Sequence, residues 1–181
     1  MASGVSRRLF WAIASTVVAM DLATKLIVVR TLRNHVPISV IGDWVNFQLV
    51  YNPGAAFGIR VGDYSRIVFT VLALLALVVL GAMVRQTDPM HRVRLTALAL
   101  VCGGAVGNLV DRLRSARGVV DFIDVGIGTL RWPTFNVADM AVTCGAVTLA
   151  IVLWSEGREV EERQRATATS SEDKGTAPAS S

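Results

Sequence analysis

Charged residues are scarce in this chain, and their absence from two long stretches excludes an ordinary water-soluble domain. Only 18% of the 181 residues are Asp, Glu, Lys or Arg, and the stretches 67–84 and 95–110 contain none. A soluble domain of this size leaves most residues near water, so it cannot hide a chain that is 52% hydrophobic. At about 1.5 Å per helical residue, such stretches approach the length that crosses roughly 30 Å of hydrocarbon. The sequence therefore predicts an integral membrane protein.

Cysteine and histidine are equally rare, with two of each. Cys102 and Cys144 both lie in apolar stretches, which favours small buried residues over a disulfide or a metal site. Because only His35 and His91 could add imidazole ligands, we expect no metal and no cofactor. The net charge of +4 comes from basic residues at the ends of apolar stretches, where lipid headgroups explain them. No basic helix or zinc-ligand spacing indicates nucleic-acid binding.

Four apolar spans can be placed on the chain, at about 9–29, 67–84, 93–110 and 137–154. Arg7 and Arg8 before the first span resemble the start of a secretory signal peptide. The apolar stretch continues past Asp21, however, and no small-x-small cleavage site follows it, so we expect an uncleaved signal anchor. The fold class predicted is an all-α membrane protein of four transmembrane helices within residues 1–155.

The connections between the spans differ in character. Residues 45–51 partly alternate apolar and polar side chains, and 118–124 also has the pattern of a short strand. Asn52, Pro53 and Gly54 predict a turn, and the glycine-rich run 54–58 permits close backbone approach. Residues 156–181 have no aromatic residue, Leu or Ile, so we expect a disordered cytoplasmic tail after a turn or two of helix.

The distribution of Lys and Arg says little about orientation, because both sides of the membrane carry similar numbers. Four spans place both termini on one side together with the turn 85–94. The basic amino terminus and this short basic turn favour the cytoplasm for that side.

Several polar residues fall at membrane depth, and the topology brings them to the same side. An Asp near the middle of a spanning helix costs about 2.5–3.5 kcal/mol on insertion scales, so a chain that keeps several of them needs a reason. These residues lie late in the first span, in the loop after it, at the end of the third span and at the start of the fourth. They are Asp21, Lys25, Asn52, Asn108, Asp111, Arg112, Asn136 and Asp139.

The carboxylates of this group admit different interpretations. Asp21 and Lys25 are four residues apart on a helix, which favours a structural ion pair over catalysis. Asp111 has its own counter-charge in the adjacent Arg112, so we expect it to be ionised and structural. Asp121 and Asp139 have no such neighbour; two carboxylates held close together share one proton and can work as acid and base. The alternative is that they are two solvated aspartates at the membrane surface.

Two other classes of protein compete with an enzyme. Intramembrane carboxylates also serve proton relays and coupled transporters. A transporter needs polar residues in both leaflets, however, and here they lie toward one. A structural scaffold would leave the polar group unexplained.

Five ordered segments carry a resemblance to a known family. They read DLATK (21–25), YNPGAAFG (51–58), GGAVGNLVDR (103–112), VVDF (119–122) and FNVAD (135–139). In this order and on four spans, they closely resemble the bacterial lipoprotein signal peptidases, also called signal peptidase II. The resemblance covers roughly residues 9–155.

The resemblance implies an aspartic endopeptidase of the bacterial inner membrane. Such an enzyme removes the signal peptide of a prolipoprotein, cleaving just before a cysteine that carries a diacylglyceryl group. It implies a small extracytoplasmic β-sheet over a site toward the outer leaflet, and globomycin-type peptides as inhibitors; we also expect a monomer. The implied catalytic pair is Asp121 and Asp139, with Asp124 as a rival for the first. Implied roles around substrate and pair fall on Asn52, Gly54, Asn108, Arg112 and Asn136, and structural roles on Asp21, Lys25 and Asp111.

Overall fold

The computed structural model describes residues 2–54 and 62–175, and within them four long helices form a bundle. The helices are α1 (Ala2–Thr31), α2 (Ser65–Gln86), α3 (Arg92–Arg114) and α4 (Val137–Gly175). Each contains a segment long and apolar enough to cross a membrane, which confirms the four predicted spans. The helices are longer than the apolar stretches, because their charged ends continue the same backbone hydrogen bonding beyond the hydrocarbon.

Helix α3 lies at the centre of the bundle and packs closely against α1 and α4. The close approach depends on glycine. A side chain at Gly103 would meet the Ala14 carbonyl of α1, and one at Gly104 would meet the Ala138 carbonyl of α4. Small residues let helix backbones approach in a membrane, where no hydrophobic effect drives helices together. Glycine in α3 therefore brings the beginning of α4 next to the end of α3.

Helix α2 presents apolar residues around most of its circumference. Val78 is 71% exposed, and Leu75 and Val79 are also largely exposed. A helix that is apolar on all sides and exposed to its surroundings is typical of a lipid-facing span. The inner face of the helix contributes Leu80 to a core shared with Phe10 and Leu98.

A small antiparallel sheet lies at one end of the bundle. In the described part of the chain it has four strands, in the order β1 (Ile38–Ile41), β2 (Val45–Asn52), β3 (Val119–Ile127) and β4 (Leu130–Arg131). The strands predicted at 45–51 and 118–124 are confirmed as β2 and β3. Their apolar side packs on the end of α1, in a core of the buried residues Val28, Leu49, Val120 and Phe122.

The register between β2 and β3 positions the polar side chains of Asn52 and Asp121. Asn52 pairs with Val119, and Val50 pairs with Asp121. The predicted turn follows β2, where the Gly54 N–H donates to Asn52 Oδ1 at 3.0 Å. The remainder of the glycine-rich run, 55–58, lies outside the described residues.

The segment after the fourth apolar span differs from expectation. We expected disorder over 156–181, whereas α4 continues through Gly175. Its Glu, Arg and Gln residues are good helix formers, and Arg158 and Glu162 form an exposed i, i+4 ion pair at 3.7 Å. Glu156 also ties α4 to the bundle, because Arg94 Nη1 donates to Glu156 Oε2 at 2.9 Å. Residues 176–181 lie outside the described residues.

Candidate active site

The polar residues of the sequence motifs meet where the ends of α1 and α3, the start of α4 and the sheet come together. Asn136 is at the centre of this group and is completely buried. Its Nδ2 donates to Asp121 Oδ1 at 2.6 Å, and its backbone N–H donates to Asp139 Oδ2 at 3.2 Å. One residue therefore contacts both aspartates that the sequence proposes as a pair.

Asp121 lies on β3 and is buried, with only 3% of its surface exposed. Its Oδ2 accepts a hydrogen bond of 3.0 Å from Asn52 Nδ2, opposite the bond from Asn136. Burial, followed by the nearby negative charge of Asp139, raises the pKa of Asp121 from 3.8 to about 7, although the bonds from Asn52 and Asn136 act in the opposite direction. Asp121 can therefore hold a proton near neutral pH.

Asp139 lies in the first turn of α4 and takes part in a reciprocal cap. Asn136 precedes the helix, and its Oδ1 accepts the Asp139 N–H at 2.8 Å while Asp139 Oδ2 accepts the Asn136 N–H. This exchange satisfies N–H groups that a helix start leaves free. The amino-terminal end of a helix also favours negative charge. The remaining oxygen, Oδ1, accepts a hydrogen bond of 2.7 Å from Asn108 Nδ2.

The three asparagines are each oriented by a donor at their oxygen. Gly54 N–H fixes Asn52 Oδ1, the Asp139 N–H fixes Asn136 Oδ1, and Lys25 Nζ lies 2.9 Å from Asn108 Oδ1. The nitrogen of each amide is consequently directed at a carboxylate. An amide has distinct donor and acceptor ends, so these contacts give the two aspartates a set of N–H donors held in fixed directions.

Arg112 joins the end of α3 to the loop after β2. Its Nη2 donates to the Gly54 carbonyl at 3.1 Å, and its Nη1 donates to the Asn108 carbonyl at 3.2 Å. The guanidinium lines the same cavity as both aspartates. The sequence placed Arg112 and Gly54 near the pair, and the structure brings both there.

Asp21, Lys25 and Asp111 form a buried ion cluster below the two aspartates. Lys25 Nζ lies 2.7 Å from Asp21 Oδ2 and 2.8 Å from Asp111 Oδ2. The expectation that Asp111 is neutralised by Arg112 is wrong, since its ionic partner is Lys25 on another helix. Adjacent residues of a helix point in different directions, so the nearest residue in sequence was a poor guide.

Asp124 lies apart from this group. Its carboxylate is bonded to Arg131, with Nε at 3.0 Å from Oδ1 and Nη2 at 2.8 Å from Oδ2. Asp121 and Asp124 are three residues apart on one strand, so their side chains point to opposite faces. The geometry therefore gives Asp124 a role in joining β3 to β4, and it leaves Asp121 as the carboxylate that faces Asp139.

A cavity of about 540 Å³ adjoins the two aspartates. Part of its wall was not anticipated from sequence: the loop between β4 and α4, and one face of α4 below Asp139. The helical spacing of Asp139, Met140 and Thr143 could have indicated the second part. The wall that these segments add consists of Trp132, Pro133, Thr134, Phe135, Met140, Val142, Thr143 and Cys144.

Metal ligands are not grouped in the part of the chain that the structure describes. No cluster of three or more His, Cys, Asp or Glu side chains there could hold a metal ion. The chemistry available in the cavity is that of two neighbouring carboxylates, one of them with a raised pKa. Such a pair can take a proton from water and donate another to a carbonyl oxygen. Four membrane spans with a neighbouring pair of carboxylates are features of a membrane-bound aspartic peptidase.

Comparison with known proteins agrees with this class. The family described as signal peptidase (SPase) II matches residues 13–155. A lipoprotein signal peptidase of Syntrophotalea carbinolica is 40% identical over 151 residues, which cover 83% of this chain and 93% of the relative. Its counterpart in Treponema denticola is 38% identical over 152 residues, covering 80% of this chain and 88% of the relative. The chain belongs to the signal peptidase II family.

A solved structure supports the fold independently. It is described as a bacterial membrane enzyme studied by the in meso method, and it superposes with a TM-score of 0.73 at 32% identity. The superposition covers 82% of this chain and 89% of the other. The four helices and the small sheet are thus the architecture of a known membrane enzyme.

Proposed function

We propose that this chain removes the signal peptide from diacylglyceryl-modified prolipoproteins, and that Asp121 and Asp139 activate the water that cleaves the bond before the lipidated cysteine. The observation that carries the proposal is the position of Asn136, which donates to both aspartates. A single buried residue holding two carboxylates in one cavity supports a pair that shares one proton.

The two carboxylates divide the acid and base roles according to their surroundings. Asp139 takes the role of the base, since it lies at a helix start, which favours negative charge, and accepts two N–H groups. Asp121 is protonated, because burial and the charge of Asp139 raise its pKa to about 7. Water attacks the scissile carbonyl carbon and gives a proton to Asp139, while Asp121 gives its proton to the carbonyl oxygen. The resulting diol then returns a proton to Asp121, and Asp139 protonates the leaving amine as the C–N bond breaks.

The cavity supports a substrate held in lipid. Its wall runs from the sheet down α4 along Met140, Thr143 and Cys144, within the segment long enough to span a membrane. A peptide anchored by acyl chains can enter such a site from the side. We expect globomycin-type peptides to bind in the same cavity. All the proposed catalytic groups come from one chain, so we also propose that the monomer is active.

The location of the site also follows from the proposal. The chain is a multi-pass membrane protein, and we propose that it lies in the bacterial inner membrane with both termini in the cytoplasm. The turn between α2 and α3 then faces the cytoplasm as well. The sheet and the cavity are at the opposite end of the bundle, toward the outer leaflet, where translocated prolipoproteins become accessible.

The experiment that tests this function compares two substrates. Purified protein in detergent is given one prolipoprotein peptide with the diacylglyceryl group on its cysteine and the same peptide without it. We expect cleavage of the lipidated peptide and a much lower kcat/KM for the other, because the acyl chains hold the peptide in the micelle and the cavity. Equal cleavage of both peptides would contradict a lipid-directed peptidase.

The pH dependence of activity is expected to be bell-shaped. Activity is lost on the alkaline side as Asp121 gives up its proton near pH 7, and it is lost on the acid side when no ionised carboxylate is left to act as the base. A profile of kcat/KM against pH in one detergent checks this. A rate that increases steadily to pH 9 would contradict the assignment of the proton to Asp121.

The same shift in pKa predicts a change in stability. Because Asp121 binds its proton more tightly in the folded protein than in the unfolded chain, stability decreases as the pH rises from about 4 to about 7. Thermal unfolding of the wild type should show this slope, and the slope should be smaller in Asp121→Asn, which has no carboxyl group to titrate at this position.

The extension of α4 beyond the bundle is expected to be dispensable for cleavage. All residues assigned to the site and its cavity lie between Asp21 and Cys144, so truncation after Arg165 should leave kcat/KM close to that of the wild type. Truncation after Ser155 is the matched control: it also removes Glu156 and its bond to Arg94, and it should lower the unfolding temperature. Loss of cleavage in the first variant, in a folded protein, would show that the extension has a part in the reaction.

A further inference from the structure

Lys25 has more contacts than charge balance requires. Its side chain is almost fully buried, and its ammonium lies within 3 Å of two carboxylates and one amide, those of Asp21, Asp111 and Asn108. The two carboxylates are ionic partners of the ammonium, and Asn108 Oδ1 accepts a hydrogen bond from it. The two carboxylates already exceed the charge of the lysine. The third contact, to the neutral Asn108, therefore orients the amide and neutralises no charge.

The ammonium is itself held in place from two sides. Asp21 Oδ1 accepts the Ala138 N–H at 2.9 Å, and Asp111 Oδ2 accepts the Val120 N–H at 3.2 Å. Ala138 immediately precedes Asp139, and Val120 immediately precedes Asp121. The cluster that fixes Lys25 is thus bonded to the backbone beside each member of the pair.

Two donors at Asn108 Oδ1 determine which end of that amide faces Asp139: the charged Lys25 Nζ at 2.9 Å and the neutral Asn136 Nδ2 at 3.1 Å. With its oxygen toward Lys25, Asn108 presents Nδ2 to Asp139 Oδ1 at 2.7 Å. Rotation of the amide by half a turn would place an NH₂ group against the ammonium and an oxygen against the carboxylate. Both contacts would then be repulsive, so Lys25 excludes the rotated form.

We infer that Lys25 is a positioning residue for peptide hydrolysis, acting through Asn108 to keep an N–H donor on Asp139. This inference depends on the proposed function, in which Asp139 is the base. Stability alone does not explain a buried ion cluster, because apolar residues of similar size often stabilise a fold equally well. Apolar residues cannot, however, orient a catalytic carboxylate through a hydrogen bond.

A double-mutant cycle between Lys25→Met and Asn108→Ala tests the inference. In detergent with the lipidated peptide, Lys25→Met should lower kcat by about 10- to 100-fold, as for other residues that orient a reactive group, with little change in KM. In the Asn108→Ala background, the same substitution should change kcat by less than about threefold, because the route from Lys25 to Asp139 is already broken.

Three results would separate the alternatives. Losses that multiply in the double variant would overturn the route through Asn108. A lower unfolding temperature with an unchanged kcat per folded molecule would leave Lys25 with a structural role only, and it would also overturn the inference. Absence of cleavage by folded wild type would instead reject the proposed function itself.

A charge-balanced pair keeps the test usable if Lys25→Met does not fold. Lys25→Met with Asp111→Asn removes one positive and one negative charge and leaves an amide oxygen for the Val120 N–H. Its reference is Asp111→Asn alone, in which Lys25 and Asn108 are intact. We expect the same loss of kcat between these two proteins, and equal kcat values would overturn the inference.

Discussion

Asp139→Asn is expected to lower kcat by roughly 10²- to 10⁴-fold while the protein remains folded. The amide keeps an oxygen for one of the donors at Asn108 and Asn136, yet it cannot take a proton from water. Asp121→Asn should have a similar effect, because an amide cannot supply the proton that the carbonyl oxygen needs. Initial rates with the lipidated peptide measure both effects, and thermal unfolding in detergent checks the fold.

Asp124→Asn is the matched control for these substitutions. It makes the same chemical change three residues along the same strand, at a carboxylate bonded to Arg131. We expect a lower unfolding temperature, since a buried ion pair is broken, and kcat close to the wild-type value below that temperature. Retained turnover in Asp139→Asn, or complete loss in Asp124→Asn with the fold intact, would contradict the assignment of the pair.

Gly104→Ala is expected to have the second large effect, on stability and activity together. A methyl group at this position would overlap the Ala138 carbonyl and lie 2.7 Å from Val142 Cγ2. The Ala138 atoms that the methyl group would meet belong to the backbone and cannot move aside, so α3 and α4 must separate. Overpacking of this kind costs about 1–3 kcal/mol. Asp139 follows Ala138 directly, so the separation should also displace Asp139 from Asn108 and lower kcat.

Gly81→Ala provides the comparison for Gly104→Ala. Gly81 lies within α2, and a side chain added there would meet nothing within 4 Å. Alanine is the better helix former, so we expect stability equal to or slightly above that of the wild type and unchanged activity. Equal unfolding temperatures for the two variants would show that the contact between α3 and α4 does not depend on glycine at position 104.

The four membrane spans could be predicted from the sequence because a membrane imposes a simple requirement. Every spanning segment must be long, apolar and helical, so uncharged stretches such as 67–84 identify it directly. Strand β2 was also predictable from partial alternation, and β3 from a short run that has the pattern of a strand. Strands β1 and β4 were not, since Ile38–Ile41 has only four residues and Leu130–Arg131 has only two.

The members of the candidate site could be predicted more fully than their contacts. The motifs and the up-down topology brought Asn108, Asp121, Asn136 and Asp139 to one place. The partner of Asp111 was missed because the correct one, Lys25, is distant in sequence. The cavity wall at 132–135 was missed for the same reason: Phe135 is held by paired backbone hydrogen bonds of 2.8 and 3.0 Å to Ile123. No local sequence pattern predicts such pairing.

The most direct test of water activation by Asp121 and Asp139 is a single turnover in ¹⁸O-labelled water. The protein is in excess over the lipidated prolipoprotein peptide, and the products are analysed by mass spectrometry. We expect one cleavage, before the lipidated cysteine, with one ¹⁸O atom in the new carboxyl group of the signal peptide and none in the lipidated fragment. This result follows if water activated by Asp121 and Asp139 attacks the peptide bond directly. Cleavage at another bond, or a signal peptide that carries no label after the first turnover, would contradict it.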